Sequence, residues 1–178
     1  MKKISEKEAI KVLKRYASSE KAFKGILAHC KAVQKLALDI GKEVKDVNLD
    51  FIKSASLLHD IGRFQSGLGG KDVVKHGIFG AEILRKEGLL DHALVAERHL
   101  GAGISREDIL EQGLELPAQD YIPISKEEKI ICHADNLIKR GKVISVEEAV
   151  ERFSKELGKK VAKKVKKLAR EVEGLKKS

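Results

Sequence analysis

The 178-residue chain is 42% hydrophobic and 35% charged, with two prolines and no tryptophan, which is typical of a soluble helical domain. No stretch approaches the roughly 20 apolar residues of a membrane span, and no apolar core of a signal peptide follows the N-terminus. We therefore expect a cytoplasmic protein. The formal net charge of +9 is uneven, because residues 151–178 carry +7 and the first 150 residues carry +2.

Apolar residues recur with helical spacing along most of the chain, and capping signals separate the helices. The first helix begins after Ser5, and a longer second helix begins near Ser19. A third helix is expected over residues 50–61, with Gly62 ending it. The loop GLGGKD, residues 67–72, then leads to a helix over residues 73–86.

Asp91 is expected to cap a helix that ends at His99, and three later helices begin after serine caps at Ser105, Ser125 and Ser145. Only KVISV, residues 142–146, resembles a strand, and it is too short to build a sheet. The pattern predicts an all-α fold, a single domain of about eight helices over residues 1–178. Residues 145–178 form a basic C-terminal helical extension in this prediction.

Imidazoles and carboxylates fall at inward positions of several helices. His29, for example, lies three residues after Ile26 and four before Val33, so it projects from the apolar side of its helix. Burying such groups together is costly unless they are paired or bind a metal ion. The mixture is a common ligand set for Fe, Mn, Co, Ni or Zn. The candidate ligands are His29, His59, Asp60, His76, His99 and Asp135.

The order of these residues resembles that of the HD-domain superfamily of metal-dependent phosphohydrolases. The resemblance rests on HDIGR at 59–63, KHGIFGAEIL at 75–84 and ICHADNL at 131–137. It covers roughly residues 19–140, which we expect to form an HD-type metal-binding core.

The resemblance implies that a first metal ion is held by His29, His59, Asp60 and Asp135. His76 and His99 stand where two-metal members of the superfamily supply two further histidines. We therefore expect two divalent transition-metal ions, with Asp60 as the bridging ligand and their identity left open among Fe, Mn, Co, Ni and Zn.

The resemblance also implies hydrolysis of a small phosphoester, such as a nucleotide, a dinucleotide or a cyclic phosphodiester, by a metal-activated water. Asp60 and Arg63 are candidate catalytic residues, and Arg63 could clamp the phosphate or form a salt bridge that fixes the helix end. Lys71 is a further candidate for contacting phosphate, because it lies on the glycine-rich loop, which we expect to act as a lid.

Two other functions stay open. Some relatives with this six-ligand pattern are di-iron oxygenases, and a non-enzymatic, RNA-associated domain would use its basic tail. We favour a solvated face over nucleic-acid contact for that tail, because residues 154–178 hold no aromatic side chain for base stacking. The spacing of Val and Leu residues in this tail is also compatible with a homo-oligomer. His92 and His133 are left out of the site.

Overall fold

The computed structural model describes residues 2–66 and 74–176. The fold is all-α, as predicted, with one hairpin of two-residue strands in the described residues. In chain order the elements are α1 (Glu6–Arg15), α2 (Glu20–Gly41), α3 (Leu49–Leu58), α4 (Arg63–Ser66), α5 (His76–Lys86), α6 (Leu90–Arg98), α7 (Arg106–Gln112), α8 (Lys126–Asn136), β1 (Ile138–Lys139), β2 (Lys142–Val143), α9 (Val146–Leu157) and α10 (Lys159–Lys176). The expected count of about eight helices omitted short segments such as the four-residue α4.

Most predicted helix starts are confirmed. The hydroxyls of Ser5, Ser105 and Ser145 accept from the backbone three residues later, and in each case an acidic side chain completes a capping box. Ser19 and Ser125 also cap their helices. The cap predicted for α6 was wrong, because Leu89 occupies the N-cap without a side-chain hydrogen bond and Asp91 lies inside the first turn.

The core forms on both sides of α2, the longest helix. One buried cluster joins α2 to α1, α3, α5 and α6 and includes Leu13, Leu57 and Leu84. A second joins it to α3, α8 and α10 and includes Ile52 and Ile131. Burying α2 from both sides fixes its rotation about its own axis, and therefore the direction in which His29 projects.

The two C-terminal helices pack on the rest of the fold through α10. Leu168 and Val172 belong to the same buried cluster as the side chains of α8. Gly158, with φ of +89°, separates α9 from α10. The proposed division into a core at 19–140 and an extension at 145–178 stays a prediction.

Two further findings bear on the expectations from sequence. Cys30 and Cys132 are free, buried thiols. No helix within residues 2–66 and 74–176 is long and apolar enough to cross a membrane.

Candidate metal centre

Gly62 brings the turn after α3 against the start of α5. A Cβ at this position would overlap the carbonyl oxygen of His76 and the amide nitrogen of Gly80. The helix expected over residues 50–61 ends at Leu58, before Gly62, and Gly62 is not among the glycines with positive φ. Its role is close backbone approach, which places Asp60 next to His76.

Gly77 brings α5 against α6 by the same means. A Cβ at Gly77 would lie 2.9 Å from the carbonyl oxygen of Ala96, and one at Gly80 would lie 3.3 Å from the Ala96 Cβ. The two histidines at the ends of these helices therefore come together, with 3.1 Å between His76 Nε2 and His99 Nε2.

The carboxylate of Asp60 faces two groups of ligand atoms. Its Oδ1 lies 3.1 Å from His76 Nε2 and 3.4 Å from His99 Nε2. Its Oδ2 lies 3.5 Å from His29 Nε2 and 3.8 Å from His59 Nε2. Each oxygen therefore belongs to a different set of imidazoles, as a bridging ligand requires.

Asp135 completes the second set. Its Oδ1 lies 2.9 Å from His29 Nε2 and 3.6 Å from His59 Nε2. Ligands about 2.1 Å from a common ion are separated by roughly 3 Å or slightly more, so both sets are spaced as ligand groups should be. The structure thus brings together all six residues singled out in the sequence, and their role as ligands stays a prediction.

Two imidazoles are oriented by main-chain hydrogen bonds. His59 Nδ1 donates to the carbonyl of Ser56 at 2.7 Å, and His99 Nδ1 donates to the carbonyl of Ala96 at 2.8 Å. The donated proton leaves the lone pair of each Nε2 directed toward the centre. Such bonds fix the tautomer and ring orientation of metal-binding histidines.

Helix α8 also ties the end of α6 to Asp135. The Cys132 thiol lies 3.2 Å from the carbonyl oxygens of both His99 and Gly101, and Asn136 donates to the Gly101 carbonyl. Asp135 lies on the same helix between these two contacts. In the sequence, Cys132 and Asn136 are only an inward thiol and an amide. Their contacts with the His99 and Gly101 carbonyls were therefore not predicted.

The centre holds two ionised carboxylates, and four of its six candidate ligands, His59, Asp60, His76 and His99, are buried. Burial opposes ionisation of Asp60, but the field of His59 and the imidazole nitrogens of His76 and His99 close to Oδ1 outweigh it and hold the pKa of Asp60 well below its usual range. The nearby imidazoles of His29 and His59 likewise lower the pKa of Asp135 despite its burial. Burial lowers the pKa of His99, which favours the neutral, ligating form of its imidazole.

Unpaired polar atoms show that a cation fits these residues. His59 Nε2 and Asp60 Oδ1 are fully buried and have no hydrogen-bond partner among the described residues. Orphaned acceptors of this kind are costly to bury unless something else binds them. Groups that could hold a divalent metal ion are His29 with His59 and Asp135, and His59 with Asp60 and His99.

The predictions for Arg63 and Lys71 stand differently against the structure. Arg63 Nε donates to Asp60 Oδ2 at 2.6 Å, so the salt bridge considered as an alternative is present. A phosphate contact by the rest of the guanidinium stays a prediction. Lys71 and the loop at 67–72 lie outside the described residues.

His92 lies apart from the centre. It is 1% exposed, and its Nε2 is 2.9 Å from the Ser54 hydroxyl. His92 is therefore a buried residue outside the centre, consistent with leaving it out of the site. Ser54 is one of three small residues, Ser54 to Ser56, that permit close contact with α6.

Two cavities open from the centre. One, which we call the α2 cavity, has a volume of about 660 Å³ and includes Ala22, Gly25, Ile26, His29, Arg63 and Phe64 in its lining. The other, the α9 cavity, has a volume of about 470 Å³ and includes His29, Arg63, Asp135, Arg152, Phe153 and Lys164. Among the residues that the structure describes, His29 and Arg63 are shared by both linings.

The fold and the site define a class of helical domain with a histidine and aspartate centre. The family model of the HD domain matches residues 26–140. The chain therefore belongs to the HD-domain family. Domains of this family bind divalent metal ions, and the histidine and aspartate groups described above could hold one.

Individual proteins resemble the chain to different extents. The uncharacterized protein MJ0778 of Methanocaldococcus jannaschii is 40% identical over 157 residues, covering 85% of this chain and 86% of that protein. Two tRNA (cytidine(56)-2'-O)-methyltransferases, from Thermoplasma volcanium and Picrophilus torridus, are 34% and 33% identical over 92% and 96% of this chain. The chain spans 45% and 47% of the length of these two enzymes, which is less than half.

A solved structure also resembles this fold. The HD domain of the L. monocytogenes phosphodiesterase PgpH, in complex with cyclic-di-AMP, superposes with a TM-score of 0.54 over 93% of this chain and 96% of that one. The sequence identity is 15%, so this likeness concerns the fold alone.

Proposed function

We propose that the chain is a metal-dependent phosphohydrolase that acts on a nucleotide or a related phosphoester. The carrying observation is the Asp60 carboxylate, whose two oxygens face separate sets of imidazole nitrogens at 3.1–3.8 Å. This arrangement supports two ions with one shared ligand. When bound, divalent ions here would act as Lewis acids toward a phosphate oxygen and lower the pKa of an attacking water.

The side chains of the centre would divide the remaining work. Asp60 and Asp135 supply the negative charge that attracts cations to a buried place. Arg63 holds Asp60 in position through Nε, and because Arg63 also lines both cavities, its guanidinium can donate to a phosphate in either one. Lys71 remains a candidate for the same task.

A nucleotide is favoured as the substrate by the similarity to a phosphodiesterase domain bound to cyclic-di-AMP and by the volumes of the cavities. Cavities of several hundred Å³ suit ligands of nucleotide size. We propose this substrate class from likeness and size together, since neither alone specifies a base or a sugar.

A panel of phosphomonoesters and phosphodiesters, assayed with Mn²⁺, Fe²⁺, Co²⁺, Ni²⁺ and Mg²⁺, tests the proposal. We expect hydrolysis by the wild type, and a fall in kcat/KM of at least about 1000-fold in Asp60→Asn, because both ions lose their shared ligand. The matched control is Asp39→Asn, an exposed aspartate near the end of α2, which should retain full activity.

Absence of phosphate release from every ester, together with iron-dependent consumption of O₂, would overturn the proposal. That result would favour the di-iron oxygenase alternative, in which the same six side chains serve oxidative chemistry.

Association with RNA is a second candidate function. It is favoured by the two similar tRNA methyltransferases and by four exposed cations at helical spacing along one face of α10. These cations are Lys159, Lys163, Lys166 and Arg170. Bound RNA would also be a phosphodiester, so this candidate is compatible with the first.

Filter binding of unmodified tRNA at several salt concentrations tests this candidate. We expect the double change Lys163→Glu and Lys166→Glu to weaken binding and to reduce the salt slope by about two, one for each lost phosphate contact. Lys7→Glu with Lys11→Glu, on exposed α1 positions, is the matched control. Equal effects of the two pairs would remove α10 as the binding face.

A further inference from the structure

Gly25 is a glycine whose presence packing does not explain. It lies inside α2, exposed and one helical turn before His29. A Cβ built on it meets no atom of the described residues within 4 Å. Glycine inside a helix is less stable than alanine, so a position with free space should favour a larger residue. The α2 cavity supplies a reason, because any side chain at Gly25 would extend into it beside His29.

Arg152 marks the α9 cavity in a different way. Its Nη2 donates to the carbonyl of Asn136 at 3.0 Å, and its guanidinium carbon lies 4.6 Å from the centre of the Phe153 ring. Its Nε is buried and has no hydrogen-bond partner within the described part of the chain. Arg152 also lines the α9 cavity, and a fixed cation there is suited to an anionic or carbonyl group of a ligand.

The two cavities differ in lining but meet at the same metal centre. The α2 cavity includes Asp60 and the α9 cavity includes Asp135, and His29 and Arg63 belong to both linings. A phosphate at the centre would therefore have space for a substituent in each cavity. A phosphomonoester has one ester group and could use one cavity, whereas a phosphodiester has two.

We propose that Gly25 and Arg152 determine specificity by shaping two subsites for the two ester groups of a phosphodiester that joins nucleoside-sized groups. One ester group occupies the α2 cavity over Gly25, and the other occupies the α9 cavity beside Arg152. This inference rests on the proposed function. Arg152 belongs to α9, outside the matched residues 26–140, so part of the second subsite comes from a region that the family model does not cover.

The reaction balances with water as the only co-reactant. The water oxygen forms a bond to phosphorus, and the P–O bond to one ester group breaks. One proton of the water passes to the leaving oxygen, which becomes an alcohol. The other ester group keeps the phosphate, and the second proton stays on that phosphomonoester or enters solvent.

Selectivity between a large and a small diester tests the proposal. Protein loaded with Mn²⁺ is assayed with three probes: the linear dinucleotide ApA, cyclic-di-AMP, and methyl p-nitrophenyl phosphate, which carries one small ester group. For each protein, kcat/KM for the dinucleotide that is cleaved better is divided by kcat/KM for the methyl ester. We expect Gly25→Leu to lower this ratio by at least about tenfold, because the leucine occupies the part of the α2 cavity next to His29. Metal content should not change.

The chain offers a matched control in Gly174→Leu. Gly174 is also an exposed helical glycine with no described atom within 4 Å of a built Cβ, but it lies in neither cavity lining. The ratio should be unchanged in this variant. In the second subsite, Arg152→Met should raise KM for the dinucleotide about tenfold with little change in kcat, and Arg152→Lys should restore part of the loss.

The outcomes separate the subsites from the chemistry. Equal selectivity in Gly25→Leu and Gly174→Leu overturns the subsites and leaves the proposed function intact. Hydrolysis of the methyl ester with no cleavage of either dinucleotide does the same. A protein that cleaves no phosphoester at all removes both proposals.

Discussion

The metal centre and the contact between α7 and α10 bring charged groups together in different ways. His59, Asp60 and His76 have short side chains that are at most 2% exposed, and close backbone contacts fix their positions. Lys160 and Lys164 instead reach Asp108 with long side chains that are 50% and 30% exposed. The first arrangement has no freedom to adjust when its backbone moves, whereas the second can adjust by rotating side chains.

This difference suggests how each region responds to substitution. Around the centre, the volume of a single methyl group should matter even at a residue that binds nothing. At the contact between α7 and α10, the loss of a charge should matter modestly, because both lysines are partly exposed and solvent screens their charges.

Gly62→Ala should have the largest effect on stability. The added methyl group would overlap backbone atoms of α5, which cannot rotate away, so we expect the free energy of unfolding to fall by about 3 kcal/mol or more. Displacement of α5 should also reduce metal content. Urea unfolding and elemental analysis measure the two effects.

The control for this prediction is Gly25→Ala, at a helical glycine with open space around it. This change should raise the free energy of unfolding by roughly 0.5–1 kcal/mol, the ordinary helix preference for alanine. If Gly62→Ala were as stable as the wild type and bound as much metal, close backbone approach would not be what positions the centre.

Asp108→Ala should have a smaller effect. The change removes a capping box with Ser105 at the start of α7 and the contacts to Lys160 and Lys164. We expect a loss of about 1 kcal/mol, mostly from the cap, and a fall in Tm of about 2–4 °C. Metal content should not change. The control is Glu107→Ala, at the exposed neighbouring position, which should leave Tm almost unaltered. Loss of metal from Asp108→Ala would contradict the independence of the two regions.

The prediction with the smallest effect at neutral pH concerns the buried His92. Burial lowers the pKa of His92 to about 4, and its Nδ1 has no hydrogen-bond partner among the described residues. In an unfolded chain the pKa is about 6.5, so between these values the unfolded state binds more protons. Stability should therefore fall as pH drops from about 6.5 to about 4, by up to about 1.4 kcal/mol per unit from this residue, and should not depend on it above that range.

Urea unfolding at several pH values measures this dependence. His92→Gln removes the titrating group while keeping an amide that can bond Ser54. Across this pH range we expect stability to fall less steeply in the variant. The difference in slope should correspond to about one bound proton. Parallel curves for the two proteins would show that His92 does not titrate as its burial indicates.

Local signals predicted much of the fold. The capping serines and the apolar stripe of α2 depend on residues three or four positions apart, so the sequence contains the whole cause. The order of the six candidate ligands was equally visible, because each precedes or follows an apolar stretch at a helix end or projects from an apolar face.

Features that depend on which helices become neighbours could not be predicted. Gly62 has the same sequence context whether it ends a helix or meets another backbone, and only the approach of α5 distinguishes these roles. Arg152 appears in the sequence as one cation of a basic tail, yet it bonds the Asn136 carbonyl and lines the α9 cavity because α10 holds α9 against the rest of the fold. His92 becomes buried for a similar reason, since Ser54 leaves room for it.

The number of metal ions per chain tests the central claim most directly, namely that Asp60 joins two metal positions. Elemental analysis of protein purified without chelators should give close to two divalent transition-metal ions per chain. The double variant His76→Ala with His99→Ala should retain about one, because the partners of Asp60 Oδ1 are lost while His29, His59 and Asp135 remain. One ion per chain in both proteins would contradict the account.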